Sequence, residues 1–295
     1  MFEKLLVTTD LSEASRNLLK CLKDFKELGA KKATIIHILD VVDVGGLYPS
    51  LLKLIKPKLE EMKQFLENLN YESDIIVSLG NPAREINRIA VENNYSAIIA
   101  GTHGESLMKD VLLGSVVHKI IIVAKKPVLL IPFDILAEKK EDKCKTLCNK
   151  MFSEVLFPTD FSETAEKAFS YLQYIIQNTK PKVTFCHIQD IKKIEPYLTD
   201  KIEEFNKTDF ERLSKLESVA ASLGATETAK ILKTGHPTKE IADIANSGKY
   251  TSVVMGSQGR SFIGETYLGK VASYAVHHID IPILIIPPDF RLKGV

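Results

Sequence analysis

The feature that most constrains this sequence is that one unit occurs twice. "LLVTTDLSEAS" (5–15) matches "VLFPTDFSETA" (155–165) at an offset of 150 residues. "LGNPAREI" (79–86) matches "TGHPTKEI" (234–241) at an offset of 155, which then holds to the end of the repeat. The second copy therefore carries five extra residues between its second and third predicted strands. A repeat of this length in a chain of 295 residues predicts two similar domains in tandem.

The predicted domain boundaries follow from the repeat. The first domain covers 1–133 and the second covers 151–295. Between them "DILAEKKEDKCKTLCNK" (134–150) is charged and has no counterpart in the second copy. We interpret this stretch as a linker.

Short apolar runs alternate with helical patterns in each copy. In the first copy the predicted strands are Lys4–Thr9, Ala33–Asp40, Ser73–Leu79, Ser96–Ala100 and Val128–Ile131. Helices are predicted near Ser12–Leu28, Leu51–Asn68, Ala83–Asn93 and Ser115–Ala124. This alternation is typical of an α/β domain with a parallel sheet and helices on both faces. The run "IIIV" (120–123) favours a strand by propensity, but the equivalent "KVASYAVHHI" of the second copy favours a helix, so we predict a helix.

Composition excludes several function classes. The formal net charge is +1, which gives no reason to expect nucleic acid as a partner. We expect no membrane span, because no run of eighteen apolar residues occurs, and no signal peptide at the start. Four cysteines are too few for a disulfide framework, so free thiols and a cytoplasmic location are expected. The histidines lack metal-ligand spacing, and we expect no structural metal.

Glycines recur at identical intervals behind the fourth strand of each copy. "GTHGESLMKDVLLGS" starts at Gly101, and "GSQGRSFIGETYLGK" starts at Gly256. Ligands of open parallel sheets bind beyond the carboxyl ends of the strands, where the strand order reverses. Glycine lets the backbone approach a ligand closely, and the N-terminus of the following helix attracts anions. The pattern therefore indicates a phosphate-binding loop, and the dinucleotide and P-loop signatures are both absent.

With these residues the chain resembles the universal stress protein family. The match is to G-x2-G-x9-G-[S/T], with "TD" after the first strand, "HI" in the second, "G-x-P" after the third and "KPVLLIP" at the end. The resemblance implies two Rossmann-like sandwiches, similar to adenine nucleotide alpha hydrolases, each with five parallel strands in the order 3-2-1-4-5. It also implies ATP or AMP as ligand, with Mg²⁺ as a possible companion. Family domains pair through their last strands, so Val128–Ile131 and Ile283–Ile286 are expected to pair in an intramolecular pseudo-dimer, and a homodimer is a further possibility.

The resemblance also assigns candidate ligand-binding residues. In the first copy these are Thr9, Asp10, Ile38, Gly101, His103, Gly104, Gly114, Ser115 and Val116. In the second copy they are Pro158, Thr159, Asp160, Ile188, Met255, Gly256, Gly259, Arg260, Gly269, Lys270 and Val271. The aspartates and the backbone at Ile38 and Ile188 would hold adenine, and the glycine loops would hold ribose and phosphates.

Several of these residues have alternative interpretations. Asp10 fits a helix N-cap as well as an adenine contact, and Ser12 could be the cap instead. His103 fits either a ribose or phosphate contact or a solvated position. Lys270 stands where the family has a hydroxyl, which puts the usual phosphate geometry of the second site in doubt.

Three functions remain open at this stage. The first is a nucleotide-binding regulatory protein of the stress-response type, favoured because no general base is evident near the loops. The second is a slow ATPase or nucleotide-transfer enzyme, for which Glu105 and Asp110 are the acidic candidates in the first loop. The third is a nucleotide-free interaction scaffold. An unidentified protein partner fits the first and third.

Overall fold

A computed structural model describes residues 1–40, 48–102, 114–132, 135, 148, 150–194, 201–260 and 268–288. The chain divides into two compact units, Met1–Lys150 and Met151–Val295. Most of the predicted linker lies outside the described residues, so its conformation stays a prediction.

The first unit is a parallel α/β domain. Its strands are β1 (Lys4–Thr8), β2 (Lys32–Leu39), β3 (Glu72–Leu79), β4 (Ala97–Gly101) and β5 (Val128–Ile131). Its helices are α1 (Glu13–Leu18), α2 (Lys23–Glu27), α3 (Tyr48–Asn68), α4 (Pro82–Glu92) and α5 (Ser115–Ile122), with a 3₁₀ turn (Leu19–Leu22) between the first two. The strand order β3-β2-β1-β4-β5, parallel throughout, confirms the predicted order.

The second unit repeats this plan. Its strands are β6 (Glu154–Pro158), β7 (Lys182–Asp190), β8 (Glu227–Gly235), β9 (Ser252–Gly256) and β10 (Ile283–Ile286). Its helices are α6 (Glu163–Thr179), α7 (Ile191–Ile194), α8 (Ile202–Ser222), α9 (Pro237–Ala245) and α10 (Lys270–His278). The order β8-β7-β6-β9-β10, again parallel, matches that of the first unit.

The central strands of each sheet are buried on both faces. Leu5–Val7 of β1 and Ala97–Ala100 of β4 have no exposed surface, and Val253 and Val254 of β9 are equally buried. Helices that cover both faces of a parallel sheet produce this burial, which explains why the strands read as continuous apolar runs. Ile120 and Ile121 belong to α5 and are buried, so the helix predicted from the second copy is confirmed.

The helix predicted near Ser12–Leu28 is interrupted by the 3₁₀ turn, whereas its counterpart α6 is continuous. Cys21 lies in this turn and is joined to Cys148 by a disulfide across a sequence separation of 127 residues. Both cysteines are buried. The expectation that the cysteines are free thiols is therefore wrong for this pair, because the chain beyond β5 returns to the first helical region, a contact that spacing cannot reveal.

Candidate functional site

The turn that leaves the first strand of each unit is held by three consecutive side-chain-to-backbone hydrogen bonds. In the second unit Thr159 Oγ1 accepts the N–H of Phe161 at 3.0 Å, and Asp160 Oδ1 accepts the N–H of Ser162 at 3.1 Å. Ser162 Oγ then accepts the N–H of Ala165 at 3.3 Å, which makes Ser162 the N-cap of α6. The serine, not the aspartate, is the cap.

The first unit has the same turn. The bonds run from Leu11 N–H to Thr9 Oγ1 (2.9 Å), from Ser12 N–H to Asp10 Oδ1 (3.0 Å) and from Ser15 N–H to Ser12 Oγ (3.2 Å). Ser12 is the N-cap of α1. Of the two alternatives for this position, the structure therefore selects the serine cap.

A bulky residue occupies left-handed backbone conformation in each of these turns. Phe161 has φ 57° and Leu11 has φ 68°. Non-glycine residues in such conformations cost about 1–3 kcal/mol and persist where the surroundings impose them. The hydrogen bonds to Thr159 and Asp160 impose it here, and they hold the carboxylate at the carboxyl end of β6.

The glycines of the second loop make room for the protein's own atoms. A Cβ on Gly256 would lie 2.9 Å from Thr164 Cγ2 of α6, and one on Gly259 would lie 2.5 Å from Asp160 Oδ2. A Cβ on Gly269 would lie 3.1 Å from the carbonyl oxygen of Ser257. The sequence predicted close approach to a ligand; the close approach that the structure describes is between the loop, the adjacent helix and the aspartate.

A backbone hydrogen bond joins the two ends of the glycine loop in both units. Gly269 N–H donates to the Ser257 carbonyl at 2.8 Å, and Gly114 N–H donates to the Thr102 carbonyl at 2.8 Å. The third glycine is the N-cap of the following helix in both units, without a side-chain cap. The first N–H groups of α5 and α10 thus lack intrahelical acceptors, as at any helix start, and favour an anion.

A cavity of about 590 Å³ opens at this edge of the second unit. All eleven residues that the sequence predicted for the second site line it, from Pro158 at the end of β6 to Val271 in α10. The structure thus brings the predicted residues of the second copy to one surface.

The cavity has an apolar side and a cationic side. Apolar walls are supplied by Pro158, Ile188, Ile241 and Met255. Arg260 and Lys270 bring positive charge, next to the N-terminus of α10. Such a surface suits a ligand that has both a flat apolar part and an anionic part.

Some residues that line the cavity were not identified from the sequence, among them three at the end of β7. Gln189 and Asp190 line the cavity but match no part of the family pattern. His187 Nδ1 bonds to the Thr159 carbonyl at 2.7 Å, and the ring also lines the cavity. The place of these three residues at the carboxyl end of β7 was the available signal, because ligands of open parallel sheets bind beyond the carboxyl ends of the strands.

A charged and aromatic cluster lies beside the turn of the second unit. The ring centroids of Phe161 and His187 lie 4.9 Å apart. The guanidinium groups of Arg212 and Arg260 lie 5.3 Å and 5.7 Å from the Phe161 ring centroid. Arg212 also contacts Asp209 of α8 at 3.4 Å. No sequence signal pointed to Asp209 or Arg212, since α8 lies in the interval between two strands where the offset of the repeat changes.

Cys186 lies beneath the site and is fully buried in β7, where its carbonyl accepts the N–H of Thr159 at 2.8 Å. Burial, with a smaller contribution from Glu240, raises the pKa of the Cys186 thiol to about 12. The thiol is therefore protonated at neutral pH and is not a nucleophile for this site.

The first site is described only in part. Thr9, Asp10 and Ile38 lie at the carboxyl ends of β1 and β2, and Gly101 ends β4. Gly114 caps α5, Ser115 begins it, and Val116 is partly exposed at 39%. His103, Gly104, Glu105 and Asp110 lie outside the described residues, so their predicted roles stay predictions.

Neither a membrane span nor a metal cluster stands out in the described part of the chain. None of its helices combines the length and apolar character needed to cross a bilayer. Over the same residues, no group of three His, Cys, Asp or Glu side chains is placed to hold a metal ion.

Each unit is a doubly wound α/β domain with a candidate ligand site at its switch point. The universal stress protein family model matches residues 1–132 and 151–287, and the chain belongs to that family. "Universal stress protein MJ0577" of Methanocaldococcus jannaschii is 32% identical over 154 residues, covering 44% of this chain and 95% of the relative. "Universal stress protein YxiE" of Bacillus subtilis is 26% identical over 147 residues, with 44% and 99% coverage.

Similarity to a solved structure extends over both units. The crystal structure of a universal stress protein from Archaeoglobus fulgidus DSM 4304 covers 98% of this chain and is itself covered completely. The TM-score is 0.76 at 24% identity, a likeness of fold. The two curated relatives each match 44% of this chain, whereas this structure is matched over 98% of it.

Proposed function

We propose that this chain binds adenine nucleotides, ATP or AMP, at the switch point of each unit and acts as a regulatory protein rather than a dedicated catalyst. The observation that carries the proposal is the cavity of the second unit, which all eleven predicted residues line. Its volume of about 590 Å³ lies within the range of about 300–1,000 Å³ typical of small-molecule sites.

The chemistry of the cavity supports a ligand with a planar base and phosphates. The apolar walls suit a heteroaromatic ring, and Asp160 beside them is a hydrogen-bond acceptor for an exocyclic amino group. Arg260, Lys270 and the N-terminus of α10 suit phosphate oxygens. Mg²⁺ would accompany ATP through the phosphates, since the described residues offer no metal cluster of their own. Family membership supports the proposal, and the cytoplasm is the proposed location.

The direct test is to denature the purified protein and identify any released nucleotide by mass, followed by calorimetric titration with ATP, AMP and GTP. Ser115→Glu combined with Lys270→Glu is a suitable control variant. A carboxylate in the first turn of a helix is favoured by the dipole, so folding should be preserved, while the new charges repel phosphates. Binding of ATP or AMP by the unaltered protein and its loss in the variant are expected.

Absence of released nucleotide, together with no heat from ATP or AMP at millimolar concentration, would contradict the proposal. Phosphate release measured on the same samples tests the enzymatic alternative. Phosphate production that disappears in the Ser115→Glu, Lys270→Glu variant would show that the site hydrolyses its ligand.

A further inference from the structure

We infer that Asp160 positions Gly259 and Arg260 at the start of the glycine loop of the second unit, so that one carboxylate couples the base end of the site to its phosphate end. The inference rests on the proposed function, because it assigns Asp160 a second role within that site. Nothing in the repeat pattern distinguishes this role from adenine contact or helix capping.

The two oxygens of the Asp160 carboxylate have different partners. Oδ1 accepts the N–H of Ser162 at 3.1 Å, within its own turn. Oδ2 accepts the backbone N–H of Arg260 at 2.8 Å, across 100 residues of sequence. One side chain therefore joins the β6–α6 turn to the start of the glycine loop.

Gly259 is the residue that allows this contact. A Cβ here would lie 2.5 Å from Asp160 Oδ2, a distance at which no side chain fits without displacing the carboxylate or the loop. The absence of a side chain at Gly259 thus leaves the space that the Asp160 carboxylate occupies.

The side chain of Arg260 is placed by the same turn. Its guanidinium lies 5.7 Å from the ring centroid of Phe161, the residue that follows Asp160. A cation over an aromatic face is stabilised by the ring quadrupole. Both the backbone and the side chain of Arg260 are therefore held by consecutive residues of one turn, and Gly269 N–H holds the far end of the loop on Ser257.

A positioning role for Asp160 and simple electrostatics predict opposite changes in anion affinity when the Asp160 carboxylate is removed. Removing a carboxylate from an anion site normally strengthens anion binding, because a repulsive charge is lost. If Asp160 holds Gly259 and Arg260 in place for anion binding, removing its charge weakens anion binding instead. In Asp160→Asn the amide oxygen can retain the Ser162 bond, but the NH₂ group then faces the Arg260 N–H, where two donors meet.

The test uses inorganic tripolyphosphate, which has no base and so does not report on adenine contact. Calorimetric titration compares the unaltered full chain with Asp160→Asn and with Asp190→Asn, which removes the same charge from the same cavity lining. We expect Asp160→Asn to weaken tripolyphosphate binding about three- to tenfold, as expected for one lost hydrogen bond, and Asp190→Asn to tighten it. The first site is common to all three proteins, so differences report on the second.

Gly259→Ala and the double variant Asp160→Ala, Gly259→Ala complete the experiment. The single glycine substitution should weaken tripolyphosphate binding, and its additional effect should disappear once the carboxylate that it meets is removed. Amide hydrogen exchange without ligand supplies an independent readout: the Arg260 N–H should lose protection in Asp160→Asn and keep it in Asp190→Asn.

The outcomes separate the inference from the proposed function. Absence of ATP and AMP binding by the unaltered chain contradicts the proposed function. If a nucleotide binds but Asp160→Asn binds tripolyphosphate as well as Asp190→Asn does, only the inference is overturned. Failure of the unaltered chain to bind tripolyphosphate, unchanged Arg260 exchange in Asp160→Asn, or additive effects of the 160 and 259 substitutions would also overturn it.

Discussion

The carboxylate of Asp209 lies 3.4 Å from Nε2 of His187, while Nδ1 of the same ring lies 2.7 Å from the Thr159 carbonyl oxygen. Gln189 Nε2 donates to the same Asp209 oxygen at 3.0 Å. The His187 and Asp209 side chains are each 13% exposed. A nearly buried polar network thus connects α8 to the residue that precedes Asp160.

The first unit keeps only part of this arrangement. His37 Nδ1 lies 2.9 Å from the Thr9 carbonyl oxygen, as in the second unit. From α3, however, the thioether of Met62 lies 3.6 Å from Thr9 Oγ1. The histidine-to-carbonyl bond therefore belongs to the repeat, whereas the contacts from the long helix differ between the copies.

We predict that Asp209→Asn destabilises the second unit by about 1–2 kcal/mol, because Gln189 and Arg212 would lose a charged acceptor in a mostly buried position. Urea unfolding of the full chain measures the change. Glu211→Gln, an exposed charge removal on the same helix, is the matched control and should change stability by less than about 0.5 kcal/mol. Equal effects of the two substitutions would argue against the network.

We predict that the two nucleotide sites differ in salt dependence. Lys270 brings a full charge to the start of α10, where Ser115 stands at the start of α5. Charge-assisted contacts are about twice as strong as neutral ones, and exposed ones weaken with salt. Nucleotide affinity at the second site should therefore fall more steeply between low and high salt.

Calorimetric titrations of Ser115→Ala and Lys270→Ala at two salt concentrations decide this prediction. Lys270→Ala should remove most of the difference in salt slope, and Ser115→Ala should leave it in place. Two sites of equal affinity and equal slope in the unaltered protein would rule it out.

We predict that the ion pair between Asp74 and Lys32 contributes a small, pH-dependent stability. Lys32 Nζ lies 2.5 Å from Asp74 Oδ2, and its hydrogen bond lowers the pKa of the Asp74 carboxyl. A carboxyl whose pKa is depressed on folding stabilises the folded state above its unfolded pKa, and the contribution is lost as pH falls through the folded pKa.

Because the Asp74 side chain is 57% exposed, solvent screening limits the contribution to less than about 1 kcal/mol. Asp74→Asn should therefore lower the free energy of unfolding slightly at pH 7, and the difference should shrink as the solution is acidified below about pH 4, the usual range of an aspartate carboxyl. Thermal unfolding from neutral to acidic pH measures this. A difference that grows with acidification would be inconsistent with the assigned sign.

We predict that β5 and β10, the final strands of the two sequence repeats, pair with each other in an intramolecular pseudo-dimer. A strand at the edge of a sheet has unpaired backbone groups and promotes association unless it is covered. Residues 151–295 produced alone should therefore self-associate in a concentration-dependent manner in analytical ultracentrifugation. A monodisperse monomer of this half at high concentration would count against the pairing.

The sequence alone determined the α/β class and most elements of each unit, because the relevant physics is local and appears twice; the strand order came from the family resemblance. Apolar runs of strand length that alternate with helical patterns predict parallel strands, and two copies allowed one ambiguous element to be assigned from the clearer version. Ile120 and Ile121 show this: β-branched side chains favour a strand locally, but the aligned second copy identified the helix. Eleven of the residues that line the second cavity were also assigned in advance, from the family resemblance.

Only the tertiary structure decided which atoms those residues contact. Gly259 was interpreted as space for a ligand, but its nearest neighbour is the carboxylate of Asp160, a relation that depends on two chain segments meeting in three dimensions. The bond between Cys21 and Cys148 and the contact of Asp209 with His187 likewise join distant segments. Pattern and spacing report which face of an element is buried; they contain no information on which distant side chain packs against it, because that is set by the packing of elements.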